Sequence, residues 1–181
     1  MPRLSGPDPS EVSSEVAQLL ALTERDGRPP ATIELLAHRE ALLGPFLGWA
    51  AALARGGVLA PRHHELLALR ASHLCSSSYE WHEHGGFARD LGMSDAEIDD
   101  IAVGDTAERW TETEQLLLRA ADELVTTGVL DSDVYDELAE RFSPDELVEI
   151  PLVVGQYTML SMMCGFFDVG AGGVSSGDPS S

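Results

Sequence analysis

Between His63 and His84 stand five of the six histidines of this 181-residue chain, with Glu65 and Glu80 among them. On a helical wheel of about 100° per residue, Ser77 to Leu91 sorts into two faces. Trp81, Phe87, Ala88 and Leu91 gather on one side, and Ser77, Glu80 and His84 fall within the same arc. His82, Glu83, Arg89 and Asp90 fall opposite. Three polar groups therefore run along the face expected to be buried. An ionised carboxylate is rarely placed there without a partner, because desolvation is expensive. Glu80 and His84 are four residues apart, so each can serve the other. A buried Glu–His pair is a candidate acid–base site, and equally a structural contact tying two helices together.

A metal site is the obvious competitor for so many histidines. His82 and His84 are two apart and diverge on a helix, and His63 and His64 are adjacent and diverge as well. No H-x-x-x-H pair or H-E-x-x-H motif occurs. No metal is therefore expected. A Walker A loop and a G-x-G-x-x-G turn after a strand are also missing. All 11 basic residues are arginine, which removes a lysine Schiff base and lysine-bound pyridoxal phosphate from consideration. No cofactor is expected.

The elements that must position these residues read as helices. Pro61 suits the first position of a helix running to about Leu74, and the serine run Ser76-Ser77-Ser78 joins it to the Ser77–Leu91 segment. Glu11 to Arg25 carries a helical stripe. Thr32 is the expected N-cap of a helix through Glu40, and a further stretch runs from about Pro45 to Arg55. Ser94, Thr111, Asp131 or Ser132, and Ser143 start four more, with Glu114 and Glu146 completing capping boxes. The expectation is an all-α fold of about eight helices. Residues 1–10 and 170–181 read as a disordered N-terminus and a flexible tail around one domain at 11–169.

Composition narrows the partners. A net charge of −20 argues against nucleic acid or an anionic membrane surface. Two cysteines, Cys75 and Cys164, make no C-x-x-C pair and no disulfide framework. The N-terminus lacks an apolar segment of the secretory kind. Ile150 to Phe167 carries no charge, but Pro151, Gly155, Gln156 and Thr158 and the lack of basic flanks favour a core or interface helix over a membrane span. A cytoplasmic homo-oligomer is expected, with a small molecule as substrate.

Five stretches carry a resemblance: HELLALRASHL, YEWHEH, LGMSDAEIDDI, RAADELVTTGVLDSDVYDEL and ELVEIPLVVGQYTML. Together they make residues 29–169 resemble the carboxymuconolactone decarboxylase family, which includes alkyl hydroperoxidase D. The resemblance implies an alkyl hydroperoxidase D-like helical bundle assembled as trimers or hexamers. Peroxidase members carry a Glu, a C-x-x-C pair, and a His four residues later. Here these positions are Glu65, Ser77, Glu80 and His84, so both redox cysteines are replaced. A disulfide cycle needs a thiolate and a resolving thiol, and Ser77 supplies neither.

What remains points to acid–base chemistry of the lyase branch: a decarboxylation or double-bond shift run by Glu65, Glu80 and His84 without cofactor, on a small carboxylated, carbonyl or lactone substrate. Ser77, Tyr79, Trp81 and Tyr157 are candidate pocket residues. Arg70 and Arg62 are candidate clamps for a substrate carboxylate, with Arg89 further out. The alternatives are a peroxidase-like oxidoreductase and a ligand-binding oligomer without catalysis.

Overall fold

Serine, threonine and aspartate hydroxyls and carboxylates start most of the helices. In the computed structural model, which describes residues 2–25 and 27–171, nine α-helices and one 3-10 turn follow one another with no strand among the described residues. They are α1 (Ser14–Thr23), α2 (Ala31–Leu36), the 3-10 turn (Ala37–Arg39), α3 (Glu40–Gly56), α4 (Pro61–Leu74), α5 (Ser78–Asp90), α6 (Asp95–Val103), α7 (Glu112–Thr127), α8 (Ser132–Ala139) and α9 (Pro144–Phe167). Ser94, Thr111 and Ser143 each close a reciprocal capping box with the glutamate three residues on. Each such cap is worth about 1 kcal/mol. The tail beyond residue 171 lies outside the described residues.

Several boundaries differ from the sequence expectation: α1 spans Ser14–Thr23 rather than Glu11 to Arg25, and α2 ends at Leu36 rather than Glu40. Thr32 is buried inside α2, and the cap position falls to Pro30, whose side chain makes no capping bond. α3 starts at Glu40 rather than Pro45, and Pro45 lies inside it.

α4 is the hub. It packs against α5, α6, α7 and α9, and Leu66, Leu67, Ala68, Leu69 and Ala71 are wholly buried. A helix covered on all sides cannot keep its polar residues in water, so Glu65 and Arg70 are buried with it and must find partners. α9 is long and apolar enough to cross a membrane by length and composition. It lies instead against α4, α5, α7 and α8, burying Ile150, Val153, Val154, Tyr157, Leu160 and Cys164.

At the other end of the chain, residues 2–10 run along the body without helix. Arg3 donates from its backbone N to the Phe167 carbonyl at 2.8 Å, and His38 Nε2 bonds the Ser5 carbonyl at 2.8 Å.

Candidate active site

α4 turns into α5 through Ser76, whose φ of 55° lies in the left-handed region. Ser77 then caps α5 by accepting from Glu80 N. This tight corner lays the inner face of α5 on α4 and α9. The face is built of Glu80, His84 and Ala88, all buried. Leu91, expected on that face, lies past the helix end and is 48% exposed.

Glu65 reaches from α4 to His84 on α5. The Nδ1–H of His84 donates to Glu65 Oε2 at 2.7 Å. A carboxylate can only accept, so this bond sets the tautomer and leaves Nε2 as the basic nitrogen. Nε2 lies 3.8 Å from Glu80 Oε2. Burial raises the Glu80 carboxyl above its ordinary range, and His84 only partly opposes this. The three residues singled out for acid–base chemistry thus form one buried cluster, with His84 between two carboxyl groups.

α9 closes the cluster. The Tyr157 ring meets His84 edge-on at 4.3 Å between centroids, and its hydroxyl is hydrogen-bonded to His64 Nε2 at 3.0 Å. Burial raises the Tyr157 phenol and lowers His64, favouring the neutral form of each. Cys164, two turns beyond Tyr157, donates from Sγ to Glu80 Oε1 at 3.7 Å. Burial foremost, then the Glu80 charge, pushes this thiol up to about 12.

The other residues singled out in the sequence take separate places. Tyr79 is buried on α5, and its hydroxyl accepts from Ala31 N at 2.8 Å, tying α5 to the start of α2. Trp81 leans on His73, ring centroids 5.7 Å apart. Cavities flank α5: one of about 400 Å³ is lined by Tyr79 and Phe87, another of about 360 Å³ by Ser77 and Trp81.

Arg70, singled out as a candidate clamp, has its guanidinium occupied within the fold. It is five residues past Glu65, so it projects about 140° round α4. There it grips both oxygens of Asp122 on α7, at 2.5 and 2.9 Å, and the Ile101 and Ala102 carbonyls at the end of α6. Gly104, at φ 99°, sits so close that an added Cβ would come within 2.8 Å of the guanidinium. Arg62 and Arg89 are likewise engaged, Arg62 with Glu97 and Glu114 and Arg89 with Asp95.

The histidines scatter: His63 meets Phe142 edge-on, His64 meets Tyr157 edge-on, and His73 lies tilted against Trp81. Among the described residues, no group of three or more His, Cys, Asp or Glu side chains is placed to hold a metal ion.

Two members of the cluster escape a reading of the sequence. Spacing offers His64 only as a candidate metal ligand. Cys164 lies 80 residues or more from Glu80 and Ser77, so nothing local connects it to them. The one available signal is its position seven residues after Tyr157, which puts both on the same face of one helix.

Residues 40–123, which hold Glu65, Glu80 and His84, match the profile of the carboxymuconolactone decarboxylase family. The chain is carboxymuconolactone decarboxylase-like. Among solved structures it resembles an uncharacterized peroxidase-related protein with an alkylhydroperoxidase AhpD core from Ralstonia eutropha JMP134. The two share 18% identity at a TM-score of 0.79, over 97% of this chain and 93% of that one. A peroxidase-related protein from Silicibacter sp. TM1040 gives 17% identity and a TM-score of 0.79, over 92% and 89% of the two chains. A variant of the debrominase Bmp8, in complex with 2,3,4-tribromopyrrole, gives 17% identity and a TM-score of 0.76, over 91% and 88%. These likenesses show the fold, an alkyl hydroperoxidase D-like helical bundle. Among curated proteins, no sequence matches the chain. Unlike the peroxidase pattern, this carboxymuconolactone decarboxylase-like chain presents Ser77 and Glu80 at the two cysteine positions, with the Cys164 thiol arriving from α9.

Proposed function

We propose that this chain is a cofactor-independent acid–base enzyme of lyase or isomerase type, acting on a small carboxylated, carbonyl or lactone substrate. The observation that carries the reading is the placement of His84 between Glu65 and Glu80, at 2.7 and 3.8 Å, in a buried cluster. Glu65 holds the imidazole in one tautomer and stabilises the charge that forms on it, while Nε2 removes a proton from carbon next to a carbonyl. Glu80, kept neutral to higher pH by burial, returns a proton to the enolate oxygen or to the neighbouring carbon. In a decarboxylation, loss of carbon dioxide leaves the same enolate, and the returned proton completes the product.

The Cys164 thiol supports this reading over disulfide-cycling peroxide reduction. A thiol pushed up to about 12 is protonated at neutral pH, and peroxide chemistry runs through the thiolate. The debrominase neighbour, in complex with 2,3,4-tribromopyrrole, supports a small-molecule ligand for this fold.

We further read the protein as a cytoplasmic homo-oligomer, a trimer or a multiple of it. Val148, Gly155, Met159, Met162 and Phe166 share one exposed face of α9. An exposed apolar stripe of this length on a chain of net charge −20 favours a copy of itself, met through an uncharged surface. Turnover of a panel of β-keto acids and unsaturated lactones, with His84→Asn as the comparison, tests the enzymatic reading.

A further inference from the structure

Among the described residues, two buried side-chain oxygens have no hydrogen-bond partner, Gln156 Oε1 and Ser161 Oγ. Such atoms are rare in a folded core, because their desolvation goes uncompensated. Other helical hydroxyls settle on the carbonyl four residues back, Ser72 on Ala68 at 2.7 Å and Thr158 on Val154 at 2.8 Å. Ser161, only 3% exposed, does not. It stands four residues after Tyr157 and three before Cys164, so the three share an arc of about 60° on α9. Tyr157 meets His84, and Cys164 meets Glu80. Ser161 is therefore presented between those two contacts, toward the 3.8 Å gap from His84 Nε2 to Glu80 Oε2. Space adjoins the cluster at Ser77, which lines the cavity of about 360 Å³ and whose hydroxyl bonds the Cys164 sulfur.

The charge of the cluster narrows what can bind. His84 and Glu80 contact Glu65, Ser77, Phe87, Tyr157 and Cys164, which supply no positive charge. The chain has no lysine, and Arg62, Arg70 and Arg89 are held by carboxylates elsewhere. A substrate carboxylate would meet Glu65 and find only a protonated His84 to answer it. That imidazole has no lone pair left to act as a base. An uncharged carbonyl needs one donor, and Ser161 has one to give. We propose that the cluster takes an uncharged β,γ-unsaturated ketone or lactone, holds its carbonyl oxygen on the Ser161 hydroxyl, and shifts the double bond into conjugation. The inference rests on the acid–base reading and narrows it. His84 Nε2 takes a proton from the carbon between carbonyl and alkene. The C–H electron pair forms a dienolate, and the charge gathering on its oxygen meets the Ser161 O–H. Neutral Glu80 gives its proton to the γ-carbon, and the carbonyl re-forms. The Nε2 proton then crosses to the Glu80 carboxylate and resets both groups. No atom is gained or lost, so no co-reactant is needed.

Proton NMR of the full chain with 3-cyclohexen-1-one, its analogue 5-oxocyclohex-2-ene-1-carboxylate and acetoacetate tests it. The uncharged ketone should become 2-cyclohexen-1-one faster than in buffer, and the carboxylated analogue should react at least about tenfold more slowly. Ser161→Ala should lower kcat for the uncharged ketone by on the order of 10². Its urea midpoint should not fall, because the hydroxyl removed bonds nothing in the fold. A purely structural serine would show the reverse, a lower midpoint with the rate per folded molecule kept. Faster reaction of either carboxylated compound, lost in His84→Asn, would overturn this inference and leave the acid–base reading standing. Conversion of the ketone that Ser161→Ala leaves at full rate would overturn the oxygen contact. If His84→Asn lowers the conversion of none of the three compounds, the acid–base reading fails and this inference with it.

Discussion

Glu65 on α4 and His84 on α5 share a 2.7 Å hydrogen bond in the centre of the bundle, 19 residues apart in the chain. It is the closest link in the acid–base cluster, shorter than the 3.8 Å approach of Glu80 to the same imidazole. A hydrogen bond to a charged group contributes roughly 1.5–3 kcal/mol. It also fixes which nitrogen of His84 is free, so it joins the packing of two helices to the chemistry.

His84→Asn keeps the shape of the side chain and removes the basic nitrogen. On a substrate that the protein turns over, kcat/KM should fall by roughly 10²–10⁴. His82→Asn, on the outer face of α5, should cost far less. Equal losses from the two substitutions, measured by steady-state kinetics, would contradict the role given to His84.

Glu80 makes stability depend on pH. Its folded-state carboxyl is raised above the ordinary 4.5, so between the two values the folded chain binds the proton more strongly than the unfolded chain. Stability contributed by neutral Glu80 is full at low pH and is lost as pH rises from about 4.5 through the raised value. Glu80→Gln removes that loss. Urea midpoints measured across a pH series should therefore decline less above pH 4.5 in the variant than in the wild type.

The two thiols should behave differently. Cys164 is buried and pushed up to about 12, whereas Cys75 is half-buried. Iodoacetamide at neutral pH should label Cys75 first and Cys164 only on unfolding, as read by mass spectrometry. Hydroperoxide reduction with dithiol donors should be negligible. Peroxide turnover that Cys75→Ser abolishes would make Cys75 a peroxidatic cysteine and defeat this reading.

Arg70→Met should destabilise the chain by on the order of 3 kcal/mol, because it strands Asp122 and two helix-end carbonyls. The rate per folded molecule should be unchanged. A specific loss of kcat/KM with stability intact would return Arg70 to the substrate.

Met162→Glu with Phe166→Glu should shift the protein toward monomer in sedimentation velocity by placing charge on the exposed face of α9. A wild-type monomer at micromolar concentration would end the oligomer reading.

Local chemistry is legible in the sequence by itself. The caps at Ser94, Thr111 and Ser143, the proline start of α4 and the burial of Glu80 and His84 follow from spacing over a turn or two. A cap bond or a helical face is decided among residues that are neighbours in the chain. The weak places are those where a short-range rule meets a long-range partner. Thr32 has the right chemistry for a cap, but burial draws it inside α2.

Only the tertiary structure decided who pairs with whom. The sequence alone offers Glu80 as the nearest partner of His84, one turn away. Packing of α5 on α4 instead brings Glu65 to Nδ1 at 2.7 Å, while Glu80 comes no closer to Nε2 than 3.8 Å. It also turns Arg70 toward Asp122 and carries Cys164 to Glu80 across 84 residues of chain. The reason is physical. Hydrogen-bond direction and desolvation act over a few ångströms of space, and residues far apart in sequence come that close only when the buried faces of separate helices meet.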